Sequence, residues 1–314
     1  MEQGATGHAP VLLGEVLDAL AVRVDGCYLD ATLGRGGHAA AILERLGEKG
    51  KLLAVDRDPE AIRAGERRFV GDQRVSIVRG NFAALQRIAR EAGFEAGFDG
   101  ALVDLGVSSP QLDDPARGFS FLRDGPLDMR MDPDSGESAA DWLARASEED
   151  ITRVLRDYGE ERHARRIARA IVRARAEAPI DTTARLAALV AAAIPGRPEP
   201  GKHPATRSFQ AIRIHVNQEL AALDAVLEQL VELLRPGGRL CVISFHSLED
   251  RRVKRFIRRQ SEVAEPWRGL PEIPVHARPH LHRIGKAIRA GEAEVAGNPR
   301  ARSAVLRVAE KVAA

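Results

Sequence analysis

Glycines and carboxylates recur near the start of the chain at a spacing that a nucleotide-shaped ligand could use. The segment Asp30–His38 (DATLGRGGH) follows a short apolar run and leads into an Ala- and Leu-rich helical pattern. Such a strand-to-helix turn needs glycine, because the backbone must approach the ligand closely and some residues adopt a positive φ. Asp56 lies roughly 20 residues further on, where a carboxylate holds the two hydroxyls of a ribose. Together these residues predict a site for an adenosine-type cofactor.

The elements that must position these residues alternate between strands and helices over the first third of the chain. The strand candidates are Cys27–Asp30, Leu52–Asp56, Val75–Arg79 and Ala101–Asp104. Helical patterns fall near Ala39–Leu46, Pro59–Phe69 and Leu85–Ala92. This order predicts an α/β fold with a Rossmann-like parallel sheet that carries helices on both faces.

The middle of the chain loses this alternation and is predicted to be an inserted, mostly helical domain, residues 108–204. Ser147-Glu-Glu-Asp150 predicts a capping box that opens a helix ending at Gly159. A further helix is expected over Thr183–Ile194, and Pro195–Gly201 is expected to be a linker. The remainder, residues 1–107 and 205–314, is predicted to form the catalytic domain that binds the cofactor.

The last third of the chain returns to the sheet. An apolar stripe predicts one long helix over Phe209–Leu234, which Arg235-Pro-Gly-Gly238 ends. Arg239–Ser244 is expected to be a fifth strand, and Leu281–Ala290 with Ser303–Lys311 a C-terminal antiparallel hairpin.

Bulk composition is that of an ordinary globular protein, with 44% hydrophobic and 29% charged residues among 314 and a net charge of +2. No apolar run approaches the ~20 residues that span a bilayer, and Met1–Pro10 lacks the pattern of a secretory signal. The only two cysteines, Cys27 and Cys241, fall in predicted buried strands, which favours free thiols in a reducing compartment. We therefore expect a cytoplasmic protein without membrane contact, and no spacing predicts a metal site.

Two stretches, Arg162–Arg175 and Arg251–Gln260, are strongly basic, the second with six Lys or Arg in ten residues. Such stretches track phosphates in nucleic-acid-binding proteins, but solvated helix faces have the same composition. Further single candidates for phosphate contact are Lys202, Arg207 and Arg130. Trp142 and Trp267 are expected in the core rather than in a stacking platform.

The glycine turn alone leaves the cofactor open, because it also fits the G-x-G-x-x-A variant of the dinucleotide fingerprint. Three features favour S-adenosyl-L-methionine. Asp30 ends the preceding strand, within reach of the amino-acid portion of that cofactor. The turn Leu234–Gly238 is typical of methyltransferase sheets, and the chain ends in a hairpin rather than a second mononucleotide half. A nicotinamide-dependent oxidoreductase is the alternative.

Several long motifs bring the chain close to a known family. They are His8–Leu13, Asp30–His38, Val55–Pro59, Asp104–Asp113, Arg117–Phe121, Gly125–Asp132, His203–Arg207, Ser244–Asp250 and Asn298–Arg302. With these motifs the chain resembles the bacterial 16S ribosomal RNA cytosine-N4 methyltransferases over nearly its whole length. The resemblance implies N4-methylation of a cytidine in the decoding region of the small ribosomal subunit, S-adenosyl-L-methionine as donor, and RNA recognition by the helical insert.

The resemblance also implies roles for individual residues. Cofactor contact is implied for Gly36, Gly37, His38, Asp56, Phe82, Asp104 and Gln111. Ser108-Ser109-Pro110 departs from the Asp/Asn-Pro-Pro-aromatic tetrapeptide of many amino-group methyltransferases, and we interpret it as occupying the same place. Asp104, Ser108 and Ser109 are accordingly the catalytic candidates, as acceptors for the amine of the base.

Each of these residues also has a structural interpretation. Asp56 could cap the next helix, although Asp58 is better placed for that. Phe82 could be a core aromatic, and the Ser-Ser-Pro segment a simple turn. His246, after the fifth strand, is as consistent with a structural as with a functional role.

Direct displacement by an exocyclic amine requires alignment rather than a strong base. Carbon-5 methylation is disfavoured, because it needs a thiolate and neither Cys27 nor Cys241 is placed to attack a base. A non-catalytic ribosome-assembly factor and a methyltransferase acting on small molecules or proteins are further alternatives. The Ala-rich helices of the insert could form a homodimer surface or pack on each other.

Overall fold

Seven strands form a single sheet in the computed structural model, which describes residues 10–196, 203–263 and 265–313. They are β1 (Cys27–Asp30), β2 (Lys51–Asp56), β3 (Val75–Arg79), β4 (Phe98–Asp104), β5 (Leu234–Ser244), β6 (Leu281–Arg289) and β7 (Val305–Lys311). Their order is β3-β2-β1-β4-β5-β7-β6. The first five are parallel, whereas β7 is antiparallel to both β5 and β6. This topology confirms the predicted Rossmann-like sheet with an antiparallel C-terminal pair.

The α-helices of the described residues are α1 (Leu13–Leu20), α2 (Gly37–Arg45), α3 (Pro59–Arg68), α4 (Leu85–Glu91), α5 (Ser109–Asp113), α6 (Ala139–Arg145), α7 (Glu148–Gly159), α8 (Ala164–Glu177), α9 (Thr183–Ala193), α10 (Thr206–Asn217), α11 (Glu219–Leu233), α12 (Ser247–Ser261) and α13 (Glu292–Gly297). Short 3₁₀ helices occupy Phe82–Ala84, Pro115–Arg117, Val275–Ala277 and Pro299–Ser303. The predicted hairpin is therefore two paired strands joined by α13 and a 3₁₀ turn.

Helices cover both faces of the sheet, as predicted. Along β2, Leu53 and Val55 belong to one buried apolar cluster, while Leu52 and Ala54 belong to another. This alternation follows from the two-residue period of a strand. The first cluster includes apolar residues of α4, α11 and α12, and the second includes those of α1 and α2.

The chain divides into two compact units. The first comprises the residues up to Gly106 and from Ala221 onward, and contains the sheet; the second is Val107–Leu220. The second unit has its own apolar core and, within its described residues, contains helices but no strand. Its extent reaches past the predicted boundary at residue 204, because α10 packs against α7 within it.

The N-cap predicted at Ser147 is confirmed, but Asp150 does not complete a capping box, because its carboxylate accepts from the Ser147 hydroxyl at 2.8 Å rather than from the Ser147 backbone N–H. The Ser147 hydroxyl accepts a hydrogen bond from the Asp150 backbone N–H at 3.0 Å, and α7 ends at Gly159. The helix predicted over Thr183–Ile194 is also present as α9. The linker predicted over Pro195–Gly201 falls mostly on residues outside the described part of the chain, as do Lys202 and His8.

The prediction of one long helix over Phe209–Leu234 is wrong. The chain breaks at Gln218, which has a φ of 51°, between α10 and α11. The break is held by Asn217, whose buried amide donates to the Met129 carbonyl at 2.7 Å and accepts from the Met131 N–H at 2.7 Å. The sequence does not reveal this break, because the apolar residues keep their helical spacing on both sides of Gln218.

Candidate functional site

The turn between β1 and α2 depends on glycine at three positions. Gly34 and Gly36 have φ values of +53° and +72°, in the left-handed region that favours glycine. A Cβ on Gly36 would lie 2.8 Å from the Phe69 ring, and one on Gly37 would lie 2.3 Å from Pro10. Gly36 and Gly37 therefore have no room for a side chain, and the backbone of the turn leads directly into the N-terminus of α2.

Asp56, at the end of β2, is tied to this turn. One carboxylate oxygen accepts from the Gly34 N–H at 2.8 Å, and the other accepts from the Asp58 N–H at 2.9 Å. Asp58 itself caps α3 by accepting from Glu60 N–H at 2.9 Å, so the helix-cap role falls to Asp58 as predicted. Burial, only partly offset by these hydrogen bonds, raises the pKa of Asp56 to about 6.

Asp30, at the end of β1, is a second buried acid at the same edge, with 1% of its surface exposed. It accepts from the Thr32 N–H at 3.1 Å. Burial first, and the nearby charge of Asp56 to a lesser extent, raise the pKa of Asp30 to about 7. The Thr32 hydroxyl in turn accepts from the Asp104 N–H at 2.7 Å, which joins the ends of β1 and β4.

Asp104, at the end of β4, has no cationic partner. Its Oδ1 atom is buried without any hydrogen bond, and its Oδ2 lies 3.6 Å from Nδ1 of His38. Burial, followed by the charges of Asp30 and Glu249, raises the pKa of Asp104 well above its usual range. Among the described residues, no Lys or Arg forms an ion pair with Asp30, Asp56 or Asp104.

His38 does not supply the missing charge. Its Nε2 lies 3.0 Å from the Val11 carbonyl, which can only accept, so the ring proton sits on Nε2 and Nδ1 is an acceptor. Burial lowers the pKa of His38 to about 4, and the imidazole is neutral near pH 7. The edge of the sheet thus carries three clustered carboxyl groups beside a neutral ring.

His246, for which the sequence left two roles open, has a structural one. It is the N-cap of α12 and forms a capping box with Glu249. Glu249 accepts from the backbone N–H groups of Phe245 and His246 at 2.8 and 3.2 Å, and its other oxygen lies 3.1 Å from His246 Nε2. The ring accepts from the Glu249 N–H through Nδ1 at 3.4 Å, whereas its buried Nε2 forms no hydrogen bond.

Cys27 and Cys241 are poor nucleophiles. Burial raises the pKa of Cys27 to about 11 and that of Cys241 to about 12, so both remain thiols near neutral pH. Cys241 is completely buried inside β5. In the described part of the chain there is no cluster of metal-ligating residues, and no helix there is long and apolar enough to cross a bilayer.

Comparison with known proteins identifies the family to which the chain belongs. Residues 5–312 match the model of the MraW methylase family. The chain belongs to the MraW methylase family. Two proteins named ribosomal RNA small subunit methyltransferase H are similar to it: one from Thioalkalivibrio sulfidiphilus, 61% identical over 98% of either chain, and one from Halorhodospira halophila, 60% identical over 99% of this chain and 96% of its own. A crystal structure of an rRNA methylase from Streptococcus thermophilus aligns over 95% of each chain at 12% identity, with a TM-score of 0.43.

Membership in the methylase family confirms the predicted donor, S-adenosyl-L-methionine, and excludes the nicotinamide-dependent alternative. The residues at the sheet edge fit this donor. A sulfonium and an ammonium group carry positive charge, and Asp30 and Asp104 offer carboxyl oxygens that no Lys or Arg of the described chain neutralises. Asp56 lies beside the glycine turn with each oxygen accepting a backbone N–H, and its contact with the ribose stays a prediction.

The remaining predicted residues lie in two places. Phe82 begins a 3₁₀ helix in the first unit and packs half-buried against its core, and its contact with adenine stays a prediction. Ser108, Ser109 and Gln111 belong to the second unit. The Ser108 N–H donates to the buried Gln111 side-chain oxygen at 2.9 Å, and Ser108 is the N-cap of α5. Within the first unit the structure thus brings Gly36, Gly37, His38, Asp56 and Asp104 together, and the roles of the serines and Gln111 stay predictions.

Other candidates have local partners. Arg130 forms a bidentate ion pair with Asp128 at 2.8 and 2.7 Å, which occupies the guanidinium proposed for phosphate. Trp142 is buried and its ring lies 4.4 Å from that of His215, as expected for a core residue. Sequence reasoning missed Thr32 and Glu249. The signal for Thr32 was its position two residues after Asp30, where a hydroxyl can join the ends of two strands.

Proposed function

We propose that this protein transfers the methyl group of S-adenosyl-L-methionine to the exocyclic N4 amine of a cytidine in the decoding region of 16S ribosomal RNA. The names of relatives about 60% identical over nearly the full length support an RNA of the small subunit as the substrate. The observation that carries the chemistry is the Oδ1 atom of Asp104, a buried acceptor without a partner at the edge where the donor fits.

The amine of cytosine is a weak nucleophile, because its lone pair is delocalised into the ring. An acceptor for one of its N–H groups holds the nitrogen out of the ring plane and aligns it with the methyl carbon. Asp104 Oδ1 is such an acceptor, and the uncompensated carboxyls around it favour the positive charge of the reacting system. When bound, S-adenosyl-L-methionine would supply an electrophilic methyl group attached to its sulfonium sulfur.

Atoms and protons balance without a strong base. The N4–carbon bond forms as the carbon–sulfur bond breaks, with its electron pair remaining on sulfur. The methylated nitrogen then loses one proton, which passes to the Asp104 carboxylate and on to solvent. His38, neutral and hydrogen-bonded to Val11, packs beside this carboxylate, with Nδ1 3.6 Å from Asp104 Oδ2, and adds no charge that would compensate it.

The proposal also includes three residues of the second unit, Ser108, Ser109 and Gln111. We assign to the serine hydroxyls and their neighbouring carbonyls the second N–H of the amine, and to Gln111 a contact with the donor. The helical insert would hold the RNA around the extruded base, because a base in structured RNA must be splayed out to enter a pocket. Homodimer formation through its Ala-rich helices stays a prediction.

The two cysteines favour nitrogen over carbon as the methylated atom. Carbon-5 methylation needs a thiolate that adds to the ring, and burial keeps Cys27 and Cys241 protonated. A Cys27→Ala/Cys241→Ala variant is therefore expected to retain methyl transfer. Complete loss of transfer by this variant, in a protein that still folds, would contradict the displacement mechanism.

Mass spectrometry of small-subunit RNA tests the whole proposal. RNA from cells lacking the gene is expected to miss one N4-methylcytidine, and the purified protein with labelled donor is expected to restore it. Naked RNA and small-subunit particles from those cells are offered separately, which identifies the true substrate. Methyl on carbon 5 or on a ribose would overturn the assignment of the atom, and tight particle binding without transfer would favour a non-catalytic assembly factor.

A further inference from the structure

The outward face of α12 concentrates positive charge in the unit that contains the donor site. Six of the ten residues in Arg251–Gln260 are Lys or Arg and none is acidic. The apolar residues of the helix point the other way, since Val253, Phe256 and Ile257 are buried in the core beneath the sheet. The cations therefore lie on the solvent side of an amphipathic helix.

Acidic residues of α11 divide this face into two flanks. Glu228 forms an ion pair with Arg259, and Asp224 lies 3.9 Å from Arg252. On the other flank Lys254, Arg255 and Arg258 are exposed, and no carboxylate of the described chain pairs with them. We call these three residues the unpaired flank of α12.

The acids at the start of α12 do not reach the unpaired flank. Glu249 is committed to the capping box with His246. Asp250 holds Arg307 in a bidentate ion pair at 2.7 and 3.0 Å. The charge of the flank is thus left to an external partner.

The spacing of the unpaired flank suits a phosphate chain. Residues three and four apart on a helix are neighbours, with Cβ atoms about 5–6 Å apart, so Arg258 adjoins both Lys254 and Arg255. Arg255 and Arg258 also line a cleft of about 630 Å³ beside Phe256. Four carboxylates line the same cleft, and each pairs with another arginine: Asp224 with Arg252, Glu228 with Arg259, and Glu262 and Glu265 with Arg268. A guanidinium presents a fork of donors that matches the oxygens of a phosphate.

We propose that the unpaired flank of α12 binds the phosphate backbone of the substrate RNA outside the methylation pocket. This rests on the proposed function for the nature of the partner. α12 begins at the carboxyl edge of the sheet, directly after the turn that follows β5. At about 1.5 Å per residue the flank lies roughly 10–17 Å along the helix from that edge, a distance that a few nucleotides span.

A lipid surface fits the flank less well than RNA. A helix that binds a membrane in the interface plane inserts a free apolar face, with cations at its border. The apolar face of α12 is already packed into the protein core. Vesicle binding is therefore included below as an outcome that would overturn the proposal.

The test compares two triple variants of the full chain that remove equal charge. Lys254→Gln/Arg255→Gln/Arg258→Gln removes the flank. Arg63→Gln/Arg67→Gln/Arg90→Gln removes three exposed arginines from α3 and α4 that likewise have no ion-pair partner in the described chain. Both variants are first checked for wild-type thermal unfolding and wild-type affinity for S-adenosyl-L-methionine.

Affinity for 16S RNA purified from cells lacking the gene is measured at several salt concentrations. Removing the flank is expected to weaken binding at least tenfold and to reduce the slope of log affinity against log salt by about two, since each phosphate contact contributes about 0.7–0.9. The control variant is expected to change the slope by less than one. Equal losses in the two variants, or an unchanged slope for the flank variant, would overturn the proposal.

A variant with the opposite effect sharpens the test. Glu228→Gln releases Arg259 beside the flank and is expected to tighten RNA binding about two- to threefold, with a steeper salt slope. Weaker RNA binding by this variant would count against the flank. If the Lys254→Gln/Arg255→Gln/Arg258→Gln variant instead lost affinity for phosphatidylglycerol vesicles and kept its affinity for RNA, the flank would be assigned to a membrane.

Methyl transfer separates this proposal from the proposed function. If transfer to RNA occurs, the flank variant should show a raised KM for RNA with kcat unchanged. Transfer with wild-type KM in the flank variant would leave the proposed function standing and overturn the surface. RNA binding that depends on the flank, without transfer by the wild-type protein, would do the reverse.

Discussion

Two aspartates of the same strand, Asp99 and Asp104, have opposite environments. Asp99, near the start of β4, is 8% exposed and pairs with both Arg23 and Arg235. It also accepts from the Cys27 N–H at 2.8 Å. Asp104, at the other end, has a buried Oδ1 without a partner and only a neutral imidazole near Oδ2.

The two ends of β4 therefore differ in whether the protein itself compensates a buried carboxyl group. A buried carboxylate is stable when cations and N–H groups of the protein compensate it, and costly when they do not. The sheet meets that requirement at the amino end of β4 and leaves it unmet at the carboxyl end. An unmet requirement at the edge where the methyl donor fits is what a cationic ligand can satisfy.

The largest expected effect comes from Asp104→Asn. Loss of the carboxylate should lower the rate of methyl transfer at least 100-fold, in the range seen when one electrostatic group of an active site is removed. The free energy of unfolding of the unliganded protein should stay the same or rise, because an uncompensated acid is removed. Initial rates with labelled donor and urea unfolding measure the two quantities.

A stable Asp104→Asn protein with near-normal transfer would contradict the role of this residue. The matched control is the same change at Asp99, which lies on the same strand and carries no proposed role in catalysis.

Asp99→Asn should show the inverse pattern. It leaves two arginines without their common carboxylate, which should lower the free energy of unfolding by about 2 kcal/mol. Under conditions where the variant is folded, kcat should be within a few-fold of wild type. Urea unfolding followed by circular dichroism gives the first quantity, and a loss of activity in fully folded protein would break the contrast between the two ends of β4.

Features of the fold that depend on neighbouring residues could be predicted from the sequence, whereas a feature that depends on distant residues could not. β1 and β3 have the predicted bounds, because each is a short apolar run between polar residues. Asp58 could be identified as the helix cap since Pro59 follows it. The break at Gln218 could not, because its cause is the contact of Asn217 with Met129 and Met131, which lie far away in the sequence.

The candidate site shows the same limit. Sequence placed Asp56 and Asp104 at strand ends, and the sheet brings them to one edge. The missing cation beside Asp104 and the neutral state of His38 depend on the tertiary structure. Each depends on which groups pack around the side chain, and no local pattern contains that information.

Binding of the donor should depend on pH because of the unpaired acids. Burial raises the pKa of Asp30 to about 7 and of Asp56 to about 6, so the free protein holds protons near pH 6 that a cation would displace. Affinity for S-adenosyl-L-methionine should therefore rise about tenfold between pH 6 and pH 8 and then level off. Titration calorimetry in buffers of different ionisation enthalpy should detect the released protons.

The same raised pKa values predict the pH dependence of folding. An acid whose pKa is higher in the folded than in the unfolded state binds more protons when folded, so the unliganded protein should lose stability as pH rises from about 4 to about 7. Asp30→Asn should flatten both this decline and the pH dependence of donor affinity. An unchanged pH profile in that variant would show that Asp30 is not the titrating group.

The smallest effects concern the two arginines that hold Asp99, whose side chains are 67% exposed for Arg23 and 36% for Arg235. Arg23→Gln should lower the free energy of unfolding by about 0.5 kcal/mol, as for a mostly solvated ion pair. Arg235→Gln should cost about 1 kcal/mol, because its Nε also donates to the Ala96 carbonyl at 2.9 Å. A double-mutant cycle of each with Asp99→Asn measures the coupling. If both couplings were near zero, the cations would not be what makes Asp99 differ from Asp104, and the amide of Cys27 would have to account for it.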